Sequence, residues 1–442
     1  FRAQGLCRQF RMAVDEDAAD ITVDEHLGLS SGALSLCVVW LVCDNLLPDS
    51  YAGGWLAAKH RGHIAVSFVA LLAGYTAGVV QKFARGRRTQ IKLRRWSDYA
   101  RLILQSLGPC ACRVIIAAWV ATFLSFPLVL FGSMHLEIWP TIRCVTLTQT
   151  WPPTDIESCP CSESWIVASL MPCWLISPFV SRCLPKVRSC ASARGPLLIL
   201  FVTWVVLNFP LLALCYWHDL QMSTSLYSFS YIWPGALLPD FLLGVIIVAI
   251  TQQPGRSIEG ADSASDLSLD VEVDNGLQHC RPGRIADAAV AIIGAAVLFL
   301  PPDDRTRATP ALMSRLLVLL VAAFLSLSGF GPTASGIARL LRHKVLTSLG
   351  ACAWEALLLQ SVVFRYFELL LPESRSSAEC FMAFFVCLWF LAGFLAEVEQ
   401  VLFSALGWFV LPPDEIELLS SSPMALVQDE EDSETSSASS SG

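Results

Sequence analysis

Residues 146–178, TLTQTWPPTDIESCPCSESWIVASLMPCWLISP, join two physically opposed halves. In the first, Asp155, Glu157 and Glu163 stand among prolines and serines that favour turns and a hydrated backbone, so this half cannot lie in hydrocarbon. The second half is apolar. Between them sits Ser164-Trp165, where an amphipathic ring can rest at headgroup level while the chain behind it runs into the bilayer as a helix. Pro172 falls inside that helix. A proline there is tolerated only where a neighbouring helix or side chain takes up the carbonyl it frees, so the stretch predicts a span packed in a bundle.

Composition extends this reading to the whole chain. Of 442 residues, 54% are hydrophobic and 15% charged, with a mean hydropathy of +0.56; an ordinary soluble domain is about a quarter charged. The expected class is an all-α polytopic membrane protein. Its net charge of −8 comes largely from hydrophilic loops and the tail, and no basic domain points to nucleic acid. Most of the sixteen cysteines lie in apolar runs and read as small buried hydrophobes. The chain opens on Phe1 rather than methionine, and no secretory-signal pattern is read ahead of Ile21.

Hydropathy gives ten spans, at residues 33–47, 63–80, 114–130, 165–178, 196–214, 237–250, 285–300, 316–330, 346–371 and 381–401. The segments after even-numbered spans hold nineteen Lys and Arg, against about seven after odd-numbered ones. Basic loops stay in the cytosol, so both termini are predicted cytosolic, with Ser97, Arg188 and Ser265 on the same side and Asp155, Met222 and Ser376 on the other. The organisation is then a mobile cytosolic lead-in (1–29), a transmembrane domain (30–404) with a disordered cytosolic loop at 252–283, and a disordered acidic tail (405–442). On the non-cytosolic side an oxidising compartment allows Cys144 to pair with Cys159 or Cys161. Without a histidine nearby, these three make a poor zinc set, and no metal site is read.

Several candidates for chemistry follow from the residues alone. Asp44 interrupts the end of the first span, and an ionisable group at that depth is either functional or at the aqueous end of a short helix. Between residues 81 and 113 nine Lys and Arg face one acid, Asp98; they set topology and meet anionic lipid, or they form a phosphate-binding surface for a CoA-type donor. Asp240 lies at the mouth of a span, where it orients a hydroxyl, pairs with a cation or caps a helix. Glu355 lies in an apolar helix and is expected to face the bundle interior near Arg365 or Glu368. Soluble-enzyme motifs such as G-x-S-x-G, H-E-x-x-H and the Walker loop are absent.

Five segments resemble the acyltransferase-3 family of integral membrane acyltransferases. Leu147-Thr148-Gln149-Thr150-Trp151 is similar to its LLLLQ-x-W, and Ser164 to Pro178 to the SW-initiated span that follows. Gly62 to Tyr75 keeps the spacing of G-x-x-G-V-x-F-F-F-V-L-S-G-F, and Pro239-Asp240-Phe241-Leu242-Leu243-Gly244 matches P-E-F-L-L-G with a shorter acid. Leu349 to Gln360 keeps the Leu-Gly and Leu-Leu frame of L-G-x-x-S-Y-x-x-Y-L-L-H, with Ala353, Trp354, Leu357 and Gln360 in place of its serine, tyrosines and histidine.

The resemblance implies transfer of an acyl group from acyl-CoA, as co-substrate, to a hydroxyl of a lipid, sugar or small molecule. The family's first-span arginine and histidine are missing: their places fall near Ala33 or Leu34 and near Asp44 or Asn45. Its R-R-x-x-R is reduced to Arg101, with Arg94 and Arg95 earlier, and these three are the candidate donor-binding residues. Acyl transfer needs a base near the incoming oxygen. The candidates are Asp44 and His63, with Asp240 to orient the acceptor. The alternatives are a non-catalytic scaffold of the same fold, or a transporter lined by Asp44, Glu355, Glu397 and Glu399. In the tail, Asp414 followed by Leu418 and Leu419 looks like the acidic dileucine signals read by cytosolic sorting adaptors.

Overall fold

The computed structural model describes residues 17–47, 61–86, 96–130, 137–151, 159–183, 194–217, 229, 231–251, 282–299, 309–328, 334–371 and 378–410, with side chains for all of these except 17–23, 63, 82–86, 96–110, 194–197, 211–212, 214–216, 251, 282, 309–313, 378 and 403–410. Among the described residues the structure is helical throughout. The helices are α1 (Asp17–Leu46), α2 (His63–Gly86), α3 (Trp96–Leu130), α4 (Ile138–Val145), α5 (Ser164–Cys183), α6 (Arg194–Trp217), α7 (Pro234–Thr251), α8 (Pro282–Phe299), α9 (Thr309–Leu327), α10 (Gly336–Leu341), α11 (Lys344–Ala351), α12 (Ala353–Leu370) and α13 (Ala378–Val410). Five are long and apolar enough to cross a membrane, six if the bent pair α11–α12 is one span.

The chain divides into a unit of residues 1–396 and a second of 397–442. In the second, the described residues continue α13 to Val410, so the stretch read from sequence as tail opens with helix. The first unit is a bundle built around α2, whose apolar stretch Ile64–Gln81 is almost wholly covered by its neighbours. Glycine explains how α2 and α7 come so close. A Cβ on Gly74 would stand 1.9 Å from the carbonyl oxygen of Phe241, and one on Gly244 would stand 2.1 Å from that of Leu71. Only hydrogen fits at that crossing, the small-residue logic of helix pairs in lipid.

The prolines of α5 are handled as its sequence demands. Pro172 leaves the Ala168 carbonyl without its helical donor, and the Trp151 indole Nε1–H donates to that oxygen at 3.3 Å. Pro178 does the same to Trp174, whose carbonyl accepts from Ser177 Oγ at 2.9 Å. Gln149 Nε2 donates to Ser164 Oγ at 2.9 Å, which in turn donates to the Cys161 carbonyl at 2.7 Å. The wet loop and the span it feeds are therefore tied residue by residue. Cys144 is bonded to Cys159, one of the two partners open to it, and Cys161 is a buried thiol.

Three boundaries differ from the sequence reading. Helix α1 starts at Asp17 and its apolar stretch at Asp24, so residues read as a lead-in belong to the first apolar helix. Residues 346–371, read as one span, break at Cys352 (φ −120°, ψ 19°) with a 62° bend between α11 and α12. Asp240 is well inside α7 rather than at its first turn, which removes the capping role.

Candidate functional site

The N-terminal end of α2 and its middle, about 18 Å apart at 1.5 Å per residue, hold different chemistry. At the N-terminal end Asp44, near the end of α1, stands against the turn before α2: a Cβ on Gly62 would meet its Oδ2 at 2.4 Å. His63, whose side chain lies outside the described residues, is the next residue of that turn. So Asp44 and the His63 backbone are brought together. Asp240 is engaged differently: buried in α7, it forms an ion pair with Arg315 of α9, and the Ser67 hydroxyl of α2 faces the same carboxylate. Trp204 Nε1–H donates to the Arg315 carbonyl at 3.0 Å and fixes the arginine backbone. An aspartate so paired serves to lock α2, α7 and α9 together at low dielectric.

The middle of α2 carries a group that sequence reasoning passed over. His26 of α1 is 2% exposed, Tyr75 of α2 fully buried, and His26 Nδ1 shares a hydrogen bond with the Tyr75 hydroxyl. The rings sit 5.7 Å apart at 49°. Arg342, between α10 and α11, adds a cation: burial holds its guanidinium below its usual value, while Glu25 and Tyr75 act in the other direction. Gly28 leaves room for that side chain, with the Arg342 Cγ 3.9 Å from where its Cβ would be.

Close by, α1 packs on the broken helix. Ser31 Oγ donates to the Thr347 carbonyl at 3.1 Å, and a Cβ on Gly350 would stand 2.0 Å from the Ser31 carbonyl oxygen. At the break itself Arg113 of α3 bridges both halves: Nη2–H donates to the Ala351 carbonyl at 2.5 Å and Nε–H to Glu355 Oε1 at 2.5 Å. Ala351 ends α11, where carbonyls lack helical donors, and Glu355 lies in the first turn of α12, where the helix dipole favours an anion. Glu355 therefore does face the interior, but its cation is Arg113, the last residue of the basic run, and not Arg365, which is exposed. Arg94 and Arg95 lie outside the described residues, as do Asp414, Leu418 and Leu419; Arg101 is in α3, with its side chain outside them.

A third polar cluster closes the wet loop on α12. Glu163 accepts from Ser361 Oγ, from Ser162 Oγ at 2.9 Å and from Gln360 Nε2 at 3.5 Å. Burial pushes its carboxyl above the usual range, against the effect of these hydroxyl donors and of Arg365. Burial likewise pushes the neighbouring Cys161 thiol up, which makes it a poor nucleophile.

Among the described residues no group of three or more His, Cys, Asp or Glu side chains could hold a metal ion. No family model matches the chain, and neither does any curated protein or solved structure. The fold defines a helical membrane protein, and its chemistry must be argued from these clusters. His26 had one signal in the sequence. His26, Leu29 and Ser30 recur at helical spacing behind Asp24 and Glu25, an apolar face that the flanking acids obscured.

Proposed function

We propose that the chain is an integral membrane acyltransferase resembling the acyltransferase-3 family, with ten spans and both termini in the cytosol, that moves an acyl group from acyl-CoA to a hydroxyl of a lipid, sugar or small-molecule acceptor. The observation that carries this reading is the His26–Tyr75 pair, which joins the start of the apolar stretch of α1 to the middle of α2, the helix that runs on into the basic segment. Arg113, which closes that segment, is fixed 2.5 Å from Glu355 in the adjoining helix break. An imidazole and a cationic approach for phosphates are thus carried on helices that adjoin. Asp44 and His63 lie at the N-terminal end of α2.

In the reaction the acceptor oxygen attacks the thioester carbonyl carbon, the C–O bond forms, the C–S bond breaks, and the thiolate leaves to take up a proton. His26 accepts the hydroxyl proton as attack proceeds. Tyr75 holds the imidazole in one orientation, a role a buried phenol fills without a charge of its own. Arg342 favours the negative charge that develops on the carbonyl oxygen. Arg94, Arg95 and Arg101 take the phosphates of the donor.

The ten-span count draws support from which ends meet. Gln81 Nε2 donates to Ser177 Oγ at 2.6 Å, Arg113 meets Ala351, and Asp44 meets Gly62. Each contact joins ends that charge alternation assigns to one side of the membrane. The count requires α8 and the shorter apolar stretches Leu198–Pro210, Pro234–Ile250 and Ser314–Leu327 to cross as well. A transporter is favoured by one observation, the broken helix α11–α12 with a buried ion pair at its break, the architecture that lines ion paths. Purified protein in lipid, given labelled acyl-CoA and membrane lipids, separates the two: transfer of label supports the enzyme. Label that stays on CoA with every donor and acceptor tried, beside solute flux into vesicles, supports transport.

A further inference from the structure

The short helix α4 is amphipathic the wrong way round for a soluble rim. Thr141 and Cys144 face the protein and are buried, whereas Ile138, Trp139 and Ile142 are 75%, 68% and 47% exposed. These three recur at i, i+1 and i+4, so they form one apolar face. Among the described residues nothing covers it.

Its position says what does. The Trp119 indole Nε1–H of α3 donates to the carbonyl of Val145, the last residue of α4, at 2.9 Å. From Trp119 to Leu130, α3 runs on for about 16 Å past that bond. This extension exposes Phe123 at 60% and Leu130 at 87%, beside the half-exposed Leu124. The end of α4 therefore lies level with the apolar flank of a membrane helix, below the tip of that flank and not above it. The two exposed surfaces adjoin.

Two features, one covalent and one a hydrogen-bonded turn, hold α4 there. Its last turn is bonded through Cys144 to Cys159, and the chain leaves through Leu147, whose φ of 55° lets Thr148 N–H close on the Arg143 carbonyl at 2.8 Å. That 6→1 bond is the helix stop normally made with glycine. A buried leucine here accepts left-handed strain of roughly 1 kcal/mol so that α4 ends at this point and the chain turns back to Trp151 and α5.

We propose that α4 lies against the lipid beside α3, with Ile138, Trp139 and Ile142 set among lipid acyl chains. The occupant is lipid and not a protein partner, because the face is continuous with the lipid-exposed flank of α3. The bilayer is thereby coupled through the disulfide to the loop that carries Glu163.

A photo-crosslinking amino acid placed singly at Trp139, Ile142 and Phe123 tests this in the full-length protein, reconstituted in nanodiscs containing phosphatidylcholine with labelled acyl chains. Lipid adducts at 139 and 142, comparable in yield to those at 123, are the expected result. A second copy of the chain captured at 139, or lipid captured at 123 with none at 139 and 142, overturns the proposal. Because all three positions are exposed, the variants keep the fold, and intact Cys144–Cys159 pairing in each, read by mass spectrometry, verifies it.

Discussion

Arg113 on α3 and Glu355 on α12 are 242 positions apart in sequence and 2.5 Å apart in space, and the same guanidinium holds the carbonyl that ends α11. One arginine thus gives a donor to a carbonyl at the 62° break and ties it to the first turn of the next helix. Removing one member leaves a buried charge alone, so Arg113→Gln or Glu355→Ala is expected to cost about 3–5 kcal/mol. The double variant Arg113→Met/Glu355→Leu removes both charges and is expected to recover most of that loss. Thermal unfolding in detergent checks it, and a double variant no better than the singles contradicts the pairing.

The α2–α7 crossing gives a sharper contrast. Gly74→Ala puts a methyl group 1.9 Å from the Phe241 carbonyl oxygen, whereas Gly294→Ala on α8 meets nothing within 4 Å. Separation of two packed backbones is expected to cost the first variant several kcal/mol by the overpacking mechanism. The second is expected to change stability by under about 1 kcal/mol. Size-exclusion profiles and thermal midpoints compare them directly.

Much of the stretch at 146–178 was legible because its logic is local. A proline needs a carbonyl partner, a tryptophan lies within reach in the preceding loop, and Gln149 stands fifteen residues before the serine it meets. Glu355 was legible only by half: burial of a charge in an apolar helix implies a cation, but no periodicity says that it comes from α3. His26 was hidden for a different reason. The acids before it lower the hydropathy of windows that begin ahead of it, although a helix needs only one covered face to bury a side chain. The break at Cys352 left no mark, since neither proline nor glycine occupies it.

Glu163 sets a pH dependence. Its carboxyl titrates above the usual range in the folded protein because it is buried. A folded-state value above the unfolded one means that its contribution to stability is fully present below the ordinary carboxylate range and is lost as pH rises through the raised value. Glu163→Gln keeps an acceptor for Ser361 without the charge. It is expected to raise the thermal midpoint at pH 8 by about 1–3 °C relative to the parent and to have no such advantage at pH 4. Parallel melting curves across that range check it, and an equal effect at both ends would sink the assignment.

The Cys144–Cys159 bond is expected to face the non-cytosolic side. In sealed right-side-out vesicles an impermeant thiol label should reach a cysteine placed at Glu137, an exposed residue of the same loop, and in inverted vesicles only after the membrane is opened. Labelling of intact inverted vesicles would reverse the assigned topology.

The most direct test of the account is acyl transfer by the parent and by His26→Ala, with Asp44→Asn as the comparison. Purified proteins in lipid, verified as folded by their melting curves, are given labelled acyl-CoA and a mixture of membrane lipids, sugars and small hydroxylated acceptors. The account expects label to move in the parent, transfer to fall by about a hundredfold or more in His26→Ala, and Asp44→Asn to keep most of it. Full transfer in His26→Ala, or loss in Asp44→Asn alone, would contradict it and return the chemistry to the N-terminal end of α2.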